Sequence, residues 1–165
     1  MAFDQDEVTT TLDRNTVRAT AVVDAPPEAV FDYLRRPANH REISGDHSVR
    51  GVTAGPEVLG AGDSFGMKMH IGAPYRVRCK VVEFEPDRRI AWCNFGRQRW
   101  RWELEPAGEG KTLVTETFDL STALFPPGLR LMGLPRGHQK NVANSVRNVV
   151  RHFREVRAAG GGPGG

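Results

Sequence analysis

The sequence lacks the features of several common protein classes. Only two cysteines occur, Cys79 and Cys93, without CxxC spacing or a nearby histidine at ligand spacing, which argues against a zinc site. No apolar run approaches the roughly 20 residues that a membrane helix needs. The N-terminal MAFDQDEV has no apolar region of a secretory signal. We therefore expect a cytoplasmic protein whose thiols stay reduced.

Motifs of nucleophilic, metal and nucleotide chemistry are also missing. The sequence contains no HExxH, Walker or GxGxxG pattern and no Ser-His-Asp order. The glycine-rich Gly60-Ala61-Gly62 precedes Asp63 and a predicted strand, so it is typical of a turn and not of a phosphate-binding loop. We expect neither a metal nor a cofactor.

What is present predicts one globular domain. The chain has 165 residues, of which 39% are hydrophobic and 26% charged, enough for a single core. Residues 1–15 are polar and aperiodic and 160–165 are rich in glycine, so both ends are expected to be disordered around a domain at 16–159. Seven basic side chains and only Glu155 lie in 120–165, which indicates a solvated helix face or an anionic partner.

The periodicity of the chain predicts a sheet followed by a long helix. Two short helices, one containing AVFDYLRR and one at 39–43, follow the first strand, and 136–159 is amphipathic over about six turns. An alternation of period two predicts seven antiparallel strands at 16–23, 48–53, 64–71, 75–85, 90–95, 97–105 and 111–120. A sheet with one apolar face needs a cover, and the long helix is the only element large enough. A sheet curled around it leaves space for a ligand.

Three segments resemble the START/Bet v 1-like (SRPBCC) superfamily, in particular its polyketide cyclase/dehydrase and lipid-transport branch. They are VVDAPPEAVFDYLRRPANHREI, VVEFEPDRRIAW and RWELEPAGEGKTLVTETFD, and the resemblance covers about 16–157. It implies an α+β helix-grip fold: a seven-stranded curved antiparallel sheet wrapped around the long C-terminal helix, with two short helices after strand 1. It also implies binding of a hydrophobic small molecule, a lipid or a polyketide-like compound. The alternative is a cofactor-free cyclase, aromatase or dehydratase that uses the same cavity.

The facing of the strands supplies candidate ligand contacts. A turn at Asp87-Arg88 would pair Glu83 with Trp92, which turns Trp92 inward and Cys93 outward. A concave face rich in tryptophan and methionine favours a flat or flexible apolar ligand, although such side chains also fill ordinary cores. The expected ligand-binding residues are Phe65, Met67, Met69, Tyr75, Val77, Trp92, Asn94, Trp100, Trp102, Phe118, Phe125, Leu129, Met132 and Val146.

Three residues are candidates for acid–base chemistry: Glu116, Tyr75 and His40. Glu116 faces inward if it lies opposite Trp102, the register that also buries Phe118, and outward if the pairing shifts by one residue. A carboxyl in an apolar pocket has a raised pKa and can act as an acid or base. The alternatives are an exposed glutamate that pairs with an arginine and a solvated loop histidine.

The same patterns bear on partners. Basic side chains of the strands alternate away from the aromatic ones, so the stacking surface of a nucleic-acid site is missing and no nucleic acid is expected. The apolar segment 124–134, broken by proline and glycine, predicts a partly exposed flap over the cavity mouth or a packed connector. Arg130, Arg136 and Lys140 beside it favour transient contact with an anionic membrane surface. No oligomeric state is predicted.

Overall fold

The computed structural model describes residues 7–160, which form one antiparallel sheet and a set of helices. The sheet is curved and open, and its eight strands lie in the order β1-β2-β8-β7-β6-β5-β4-β3. The strands are Thr9–Leu12 (β1), Thr16–Val23 (β2), Val49–Ala54 (β3), Ser64–Ile71 (β4), Ala73–Glu85 (β5), Arg89–Cys93 (β6), Arg99–Pro106 (β7) and Thr112–Asp119 (β8).

Prolines and capping geometry set where the helices begin. Pro27 stands in the first turn of a helix, where its missing N–H costs nothing, and Arg36 is extended because a proline follows it. The α-helices are Pro27–Leu34 (α1), His40–Ile43 (α2), Pro126–Leu131 (α3) and Gln139–Gly160 (α4), with 3-10 turns at Pro37–Asn39 and Arg136–His138. Because the second 3-10 turn occupies 136–138, the long helix begins at Gln139, three residues later than predicted. No helix within 7–160 is long and apolar enough to cross a bilayer.

The long helix α4 covers the concave face of the sheet. It packs mainly on β2 and β8. The inward side chains of β2 are small or β-branched, so the helix approaches this part of the sheet closely and buries them. These buried contacts are Val17, Ala19, Ala21 and Val23 on β2 and Val142, Val146, Val149 and Phe153 on α4.

The sheet has eight strands and not the seven predicted. The additional strand is β1, which pairs with β2 from Thr9↔Thr20 to Leu12↔Val17 and lies in the segment expected to be disordered. That expectation is wrong for 9–12, because an edge strand is held by backbone hydrogen bonds and needs no apolar alternation. Residues 1–6 and 161–165, also expected to be disordered, lie outside the described residues.

Two hairpin registers determine which side chains face inward. The pairing of Trp102 with Glu116 across β7 and β8 is confirmed. The predicted pairing of Glu83 with Trp92 is wrong: Trp92 lies opposite Val81, and a bulge follows between Val81 and Glu83. Trp92 still faces inward, because Val81 belongs to the same inward row. Both cysteines are free, and Cys93, opposite Lys80, is on the outer face.

The outer face of the sheet carries an ion-pair cluster centred on Glu83. Arg101 donates to this carboxylate at 2.8 Å and Arg99 at 2.9 Å, while Arg101 also contacts Asp119 at 3.3 Å. Burial alone would raise the pKa of Glu83, but the hydrogen bonds and charges of the two arginines lower it. Part of the basic charge expected on this face is therefore neutralised by neighbouring carboxylates.

Candidate ligand-binding cavity

A cavity of about 140 Å³ lies between the concave face of the sheet, α2 and α4. Its apolar lining comes from Ile43, Val49, Phe65, Met67, Met69, Val77, Cys79, Trp92, Trp100 and Trp102. Its polar lining comes from His40, Ser44, Ser48, Asn94, Glu116, Asn141 and Ser145. Dry engineered cavities of about 150 Å³ accept benzene, so the space suits one ring.

Three tryptophans form the sheet side of the cavity. Trp100 lies directly opposite Trp92 on β6, and Trp102 follows two residues later on the same face, almost fully buried. The Trp100 ring is 4.5 Å from the ring of Phe118, which supports it from β8. The indoles are thus held by neighbours within the sheet, which keeps a flat apolar wall in place.

The carboxyl of Glu116 interrupts this apolar surface. Glu116 is only 4% exposed and stands between Trp102 on β7 and Ala19 on β2. Burial raises its pKa well above the usual range, a hydrogen bond with the Ser145 side chain partly offsets this, and the charge of Asp46 raises it further. The neutral, protonated form is favoured, and Oε2 has no hydrogen-bond partner among residues 7–160.

A serine on α4 supports this carboxyl. The Ser145 Oγ accepts the Gly45 N–H at 3.1 Å, so its own hydroxyl proton is available for Glu116. The contact depends on glycine at position 45: a Cβ there would overlap the Asn141 carbonyl and lie 2.7 Å from the Ser145 nitrogen. The turn after α2 can therefore approach the backbone of α4, and serine, glycine and glutamate form one connected group.

His40 provides a second buried polar group, which offers an acceptor where Glu116 offers a donor. It is 6% exposed, and burial lowers its pKa to about 4 although the Leu34 carbonyl partly opposes this. Its Nε2 lies 2.8 Å from the Leu34 carbonyl oxygen, which can only accept, so Nε2 carries the proton. The imidazole is neutral at physiological pH, and Nδ1 remains an acceptor.

Three asparagines of α4 fix the opposite wall. Asn144 donates to the Gly45 carbonyl at 3.3 Å and Asn148 to the Ile43 carbonyl at 3.1 Å, one helical turn apart. Asn141 donates to the Asp46 carboxylate at 3.3 Å. This face of α4 is therefore not simply solvated, and it determines the position of the turn at 43–46.

Most of the predicted site residues meet at this cavity. Those that line it are Phe65, Met67, Met69, Val77, Trp92, Asn94, Trp100 and Trp102, together with the acid–base candidates His40 and Glu116. Phe118 and Val146 are fully buried beside it, in the core. Leu129 packs against that core, whereas Phe125 and Met132 are exposed. None of these five lines the cavity.

Tyr75 is the acid–base candidate that the fold places elsewhere. It is 43% exposed and does not line the cavity. Tyr75 lies near the β4–β5 turn, in the part of β5 that has no partner in β6, because pairing with β6 begins only at Lys80. Alternation predicted the inner face of the sheet for Tyr75, but it could not show how far along β5 the cavity extends.

Sequence reasoning missed the lining from α2, from the turn after it, from the start of β3 and from α4. These residues are Ile43, Ser44, Ser48, Val49, Asn141 and Ser145. One signal was available: Ser145 occupies a buried position beside Val146 in the apolar stripe of α4, where a hydroxyl needs a buried partner. Cys79 also lines the cavity, and burial, reinforced by the charge of Cys93, raises its pKa to about 12, so its thiol is neutral. Among residues 7–160, no three His, Cys, Asp or Glu side chains are grouped to hold a metal ion.

Sequence comparison finds one family and a relative of unassigned role. Residues 14–154 match the family described as polyketide cyclase / dehydrase and lipid transport. The uncharacterized protein Rv0088 of Mycobacterium tuberculosis is 36% identical over 146 residues, which cover 87% of this chain. The match spans 65% of the length of that relative, so a third of it has no counterpart here.

Solved structures share the architecture at low identity. The Zhui aromatase/cyclase from Streptomyces sp. R1128 has a TM-score of 0.65 and 21% identity, over 88% of this chain and 98% of that one. The di-domain ARO/CYC StfQ from the steffimycin biosynthetic pathway has a TM-score of 0.58 and 17% identity, over 88% and 53%. These likenesses confirm the helix-grip fold.

Proposed function

The chain belongs to the polyketide cyclase/dehydrase and lipid-transport family, and from this premise we propose that its cavity binds a small, uncharged hydrophobic molecule carrying a carbonyl or hydroxyl group. One observation carries the proposal: the unpartnered Oε2 of Glu116 in a cavity walled by tryptophan. A buried polar atom without a partner costs stability, and a ligand oxygen that accepts a hydrogen bond from the Glu116 carboxyl would remove this cost.

The chemistry of the lining selects a neutral ligand. Within residues 7–160, no lysine, arginine or aspartate contributes to the cavity wall. Glu116 favours its protonated form and His40 is neutral, so one offers a proton and the other a lone pair. A carboxylate or ammonium ligand would lose its hydration without a counter-charge.

The size of the cavity limits what it can enclose. A volume of about 140 Å³ holds a single ring, well below the 300–1,000 Å³ typical of sites for drug-sized ligands. A lipid or a longer polyketide-like chain would place one ring or one short segment between the tryptophans, and the remainder would extend outside.

A second candidate function is catalysis by a cyclase, aromatase or dehydratase, and the presence of Glu116 and His40 in the wall of one cavity favours it. In a dehydration, His40 Nδ1 would accept a proton from the carbon beside a ligand carbonyl, while Glu116 donates to the departing hydroxyl, which leaves as water. The two residues already hold the protonation states that such a step requires. No cofactor is needed for this chemistry.

Calorimetric titration with three one-ring compounds tests the binding proposal. Acetophenone should bind, whereas benzoate, which has a similar size and a full negative charge, should bind at least about tenfold more weakly. Glu116→Gln keeps a donor and should retain acetophenone, while Glu116→Leu should lose most of the preference for acetophenone over ethylbenzene. Equal affinity for acetophenone and benzoate, or binding of neither acetophenone nor ethylbenzene, would contradict the proposal.

A further inference from the structure

Five large apolar side chains project from two neighbouring loops at one end of the molecule. We call this surface the apolar tip; it consists of Phe95, Leu124, Phe125, Leu131 and Met132, which are 64% to 92% exposed. Hydrogen bonds join the loops: the Leu124 N–H donates to the Gly96 carbonyl at 3.1 Å, and the Thr122 hydroxyl to the Arg97 carbonyl at 2.8 Å. These hydrogen bonds place Phe95 and Leu124 on adjacent loops, and Phe125, Leu131 and Met132 lie on the segment that continues from Leu124.

The backbone beneath the tip is ordered by local hydrogen bonds. The Met132 N–H donates to the Gly128 carbonyl at 3.1 Å, and the Leu134 N–H to the Leu129 carbonyl at 3.1 Å. The Phe125 ring packs over Gly128, which has no Cβ to obstruct it. An ordered backbone therefore holds the side chains of the tip in exposed positions. Leu129, from the same turn, packs inward against the core.

The chain segment that carries most of the tip has charge of one sign. From Leu120 to Arg154 the sequence contains six basic side chains and no acidic one. Arg97, Arg136 and Lys140 are exposed on the segments that carry or follow the tip. Residues 1–119, in contrast, hold more acidic than basic side chains. Protruding apolar groups with a basic surround match an anionic lipid surface, which takes up apolar side chains below its headgroups and attracts cations.

We propose that the apolar tip inserts into an anionic lipid bilayer, with Arg97, Arg136 and Lys140 on the headgroups. Each of these side chains is more than half exposed, so a fluid bilayer, which needs no matching shape, can receive them. The tip also adjoins the cavity, because Asn94 lines the cavity and Phe95 is its neighbour. A docked molecule would therefore present this end of the cavity to the lipid.

Vesicle flotation with the full chain tests the proposal. The protein should float with phosphatidylcholine/phosphatidylserine vesicles (7:3) and not with pure phosphatidylcholine, and 500 mM NaCl should release most of it. Leu131→Ser combined with Met132→Ser should weaken partitioning at least about tenfold. Ile71→Ser is the matched control, because Ile71 is 62% exposed on the β4–β5 hairpin, and it should leave partitioning unchanged.

A second comparison, between two double variants that each remove two positive charges, tests the contribution of the basic side chains. Arg136→Gln with Lys140→Gln should weaken binding to the anionic vesicles at least about tenfold more than Arg76→Gln with Arg78→Gln, which removes the same charge from the outer face of the sheet. All of these positions are exposed, and circular dichroism confirms that the variants fold.

Three results would overturn the proposal. They are no flotation with either vesicle, equal loss in the tip variant and its control, and a concentration-dependent dimer in sedimentation velocity that the tip variant abolishes. The last result would assign the tip to a second copy of the chain. Acetophenone affinity, measured on the same variants, should not change, so failure of the docking proposal and failure of the cavity proposal are distinguishable.

Discussion

The imidazole of His40 lies nearly parallel to the indole of Trp92, with ring centroids 4.6 Å apart and an angle of 21° between the planes. Phe65 closes a second side, edge-on at 5.6 Å. An imidazole between two apolar rings is strongly desolvated, which explains why its pKa falls to about 4. The same contact attaches α2 to β6 and positions a neutral acceptor at the cavity wall.

His40 should make the protein less stable in mild acid. Its pKa is about 4 in the folded state and near 6.5 when unfolded, so the unfolded chain binds the proton more readily and the free energy of unfolding falls as pH drops from 6.5 towards 4. Between pH 7 and pH 5 this group alone should cost about 2 kcal/mol. In urea titrations, His40→Gln, whose amide can still donate to Leu34, should remove that part of the loss. An identical pH dependence in both proteins would contradict the prediction.

Glu116 should have the opposite effect on the pH dependence of stability. Its folded pKa is raised, so its contribution is fully present below the unfolded pKa and is lost as pH rises through the folded value. Glu116→Gln removes the titration and keeps the shape. Above pH 5, the free energy of unfolding of the variant should rise relative to that of the wild type, by up to about 1.4 kcal/mol per pH unit. Chemical denaturation from pH 5 to pH 8 measures this, and a constant difference between the two proteins would refute it.

Gly45 should tolerate no side chain. Gly45→Ala places a Cβ against the backbone of α4 at Asn141 and Ser145, and separating the two elements should cost about 1–3 kcal/mol. Gly51→Ala is the matched control, because nothing lies within 4 Å of its added Cβ. That variant should change the free energy of unfolding by less than about 1 kcal/mol. Thermal unfolding of the two variants compares them directly, and similar losses would show that the close approach at Gly45 is unimportant.

Trp100 should report occupation of the cavity. An apolar probe such as ethylbenzene should shift or quench the tryptophan emission, since the three indoles of the protein line the cavity. Trp100→Ala should weaken the response and lower stability by about 2–4 kcal/mol, because Phe118 loses the ring it packs on. Trp100→Phe keeps an aromatic wall and should retain probe affinity within about threefold. A probe that leaves the emission unchanged would mean that it does not enter between the indoles.

The facing of the β7 and β8 residues could be predicted from the sequence because both strands alternate without interruption. Trp100, Trp102 and Glu116 follow directly from that alternation and from the need to bury Phe118. The β5–β6 register could not be derived in this way. The bulge after Val81 adds a residue within Val82-Glu83-Phe84, which contains no glycine or proline to reveal it.

Other parts of the site depend on distances between elements that are remote in sequence. Ser145 lies near Glu116 because α4 packs on the small side chains of β2, and Gly45 lets the turn after α2 approach the same part of the helix. The extent of the cavity along β5, which includes Val77 and excludes Tyr75, likewise depends on how elements remote in sequence pack together. Periodicity describes each strand separately and contains no information about such crossings.

The three asparagines of α4 also bear on how the shape of the cavity can change without loss of the fold. Two of them hold the turn after α2 through the main-chain carbonyls of Ile43 and Gly45, leaving the side chain of Ile43 in the cavity wall without a part in the anchor. A substitution at Ile43 would reshape the cavity while both backbone hydrogen bonds persist. The backbone of Ile43 thus holds the turn in place, while its side chain shapes the cavity. Selection or design can therefore change the second while conserving the first.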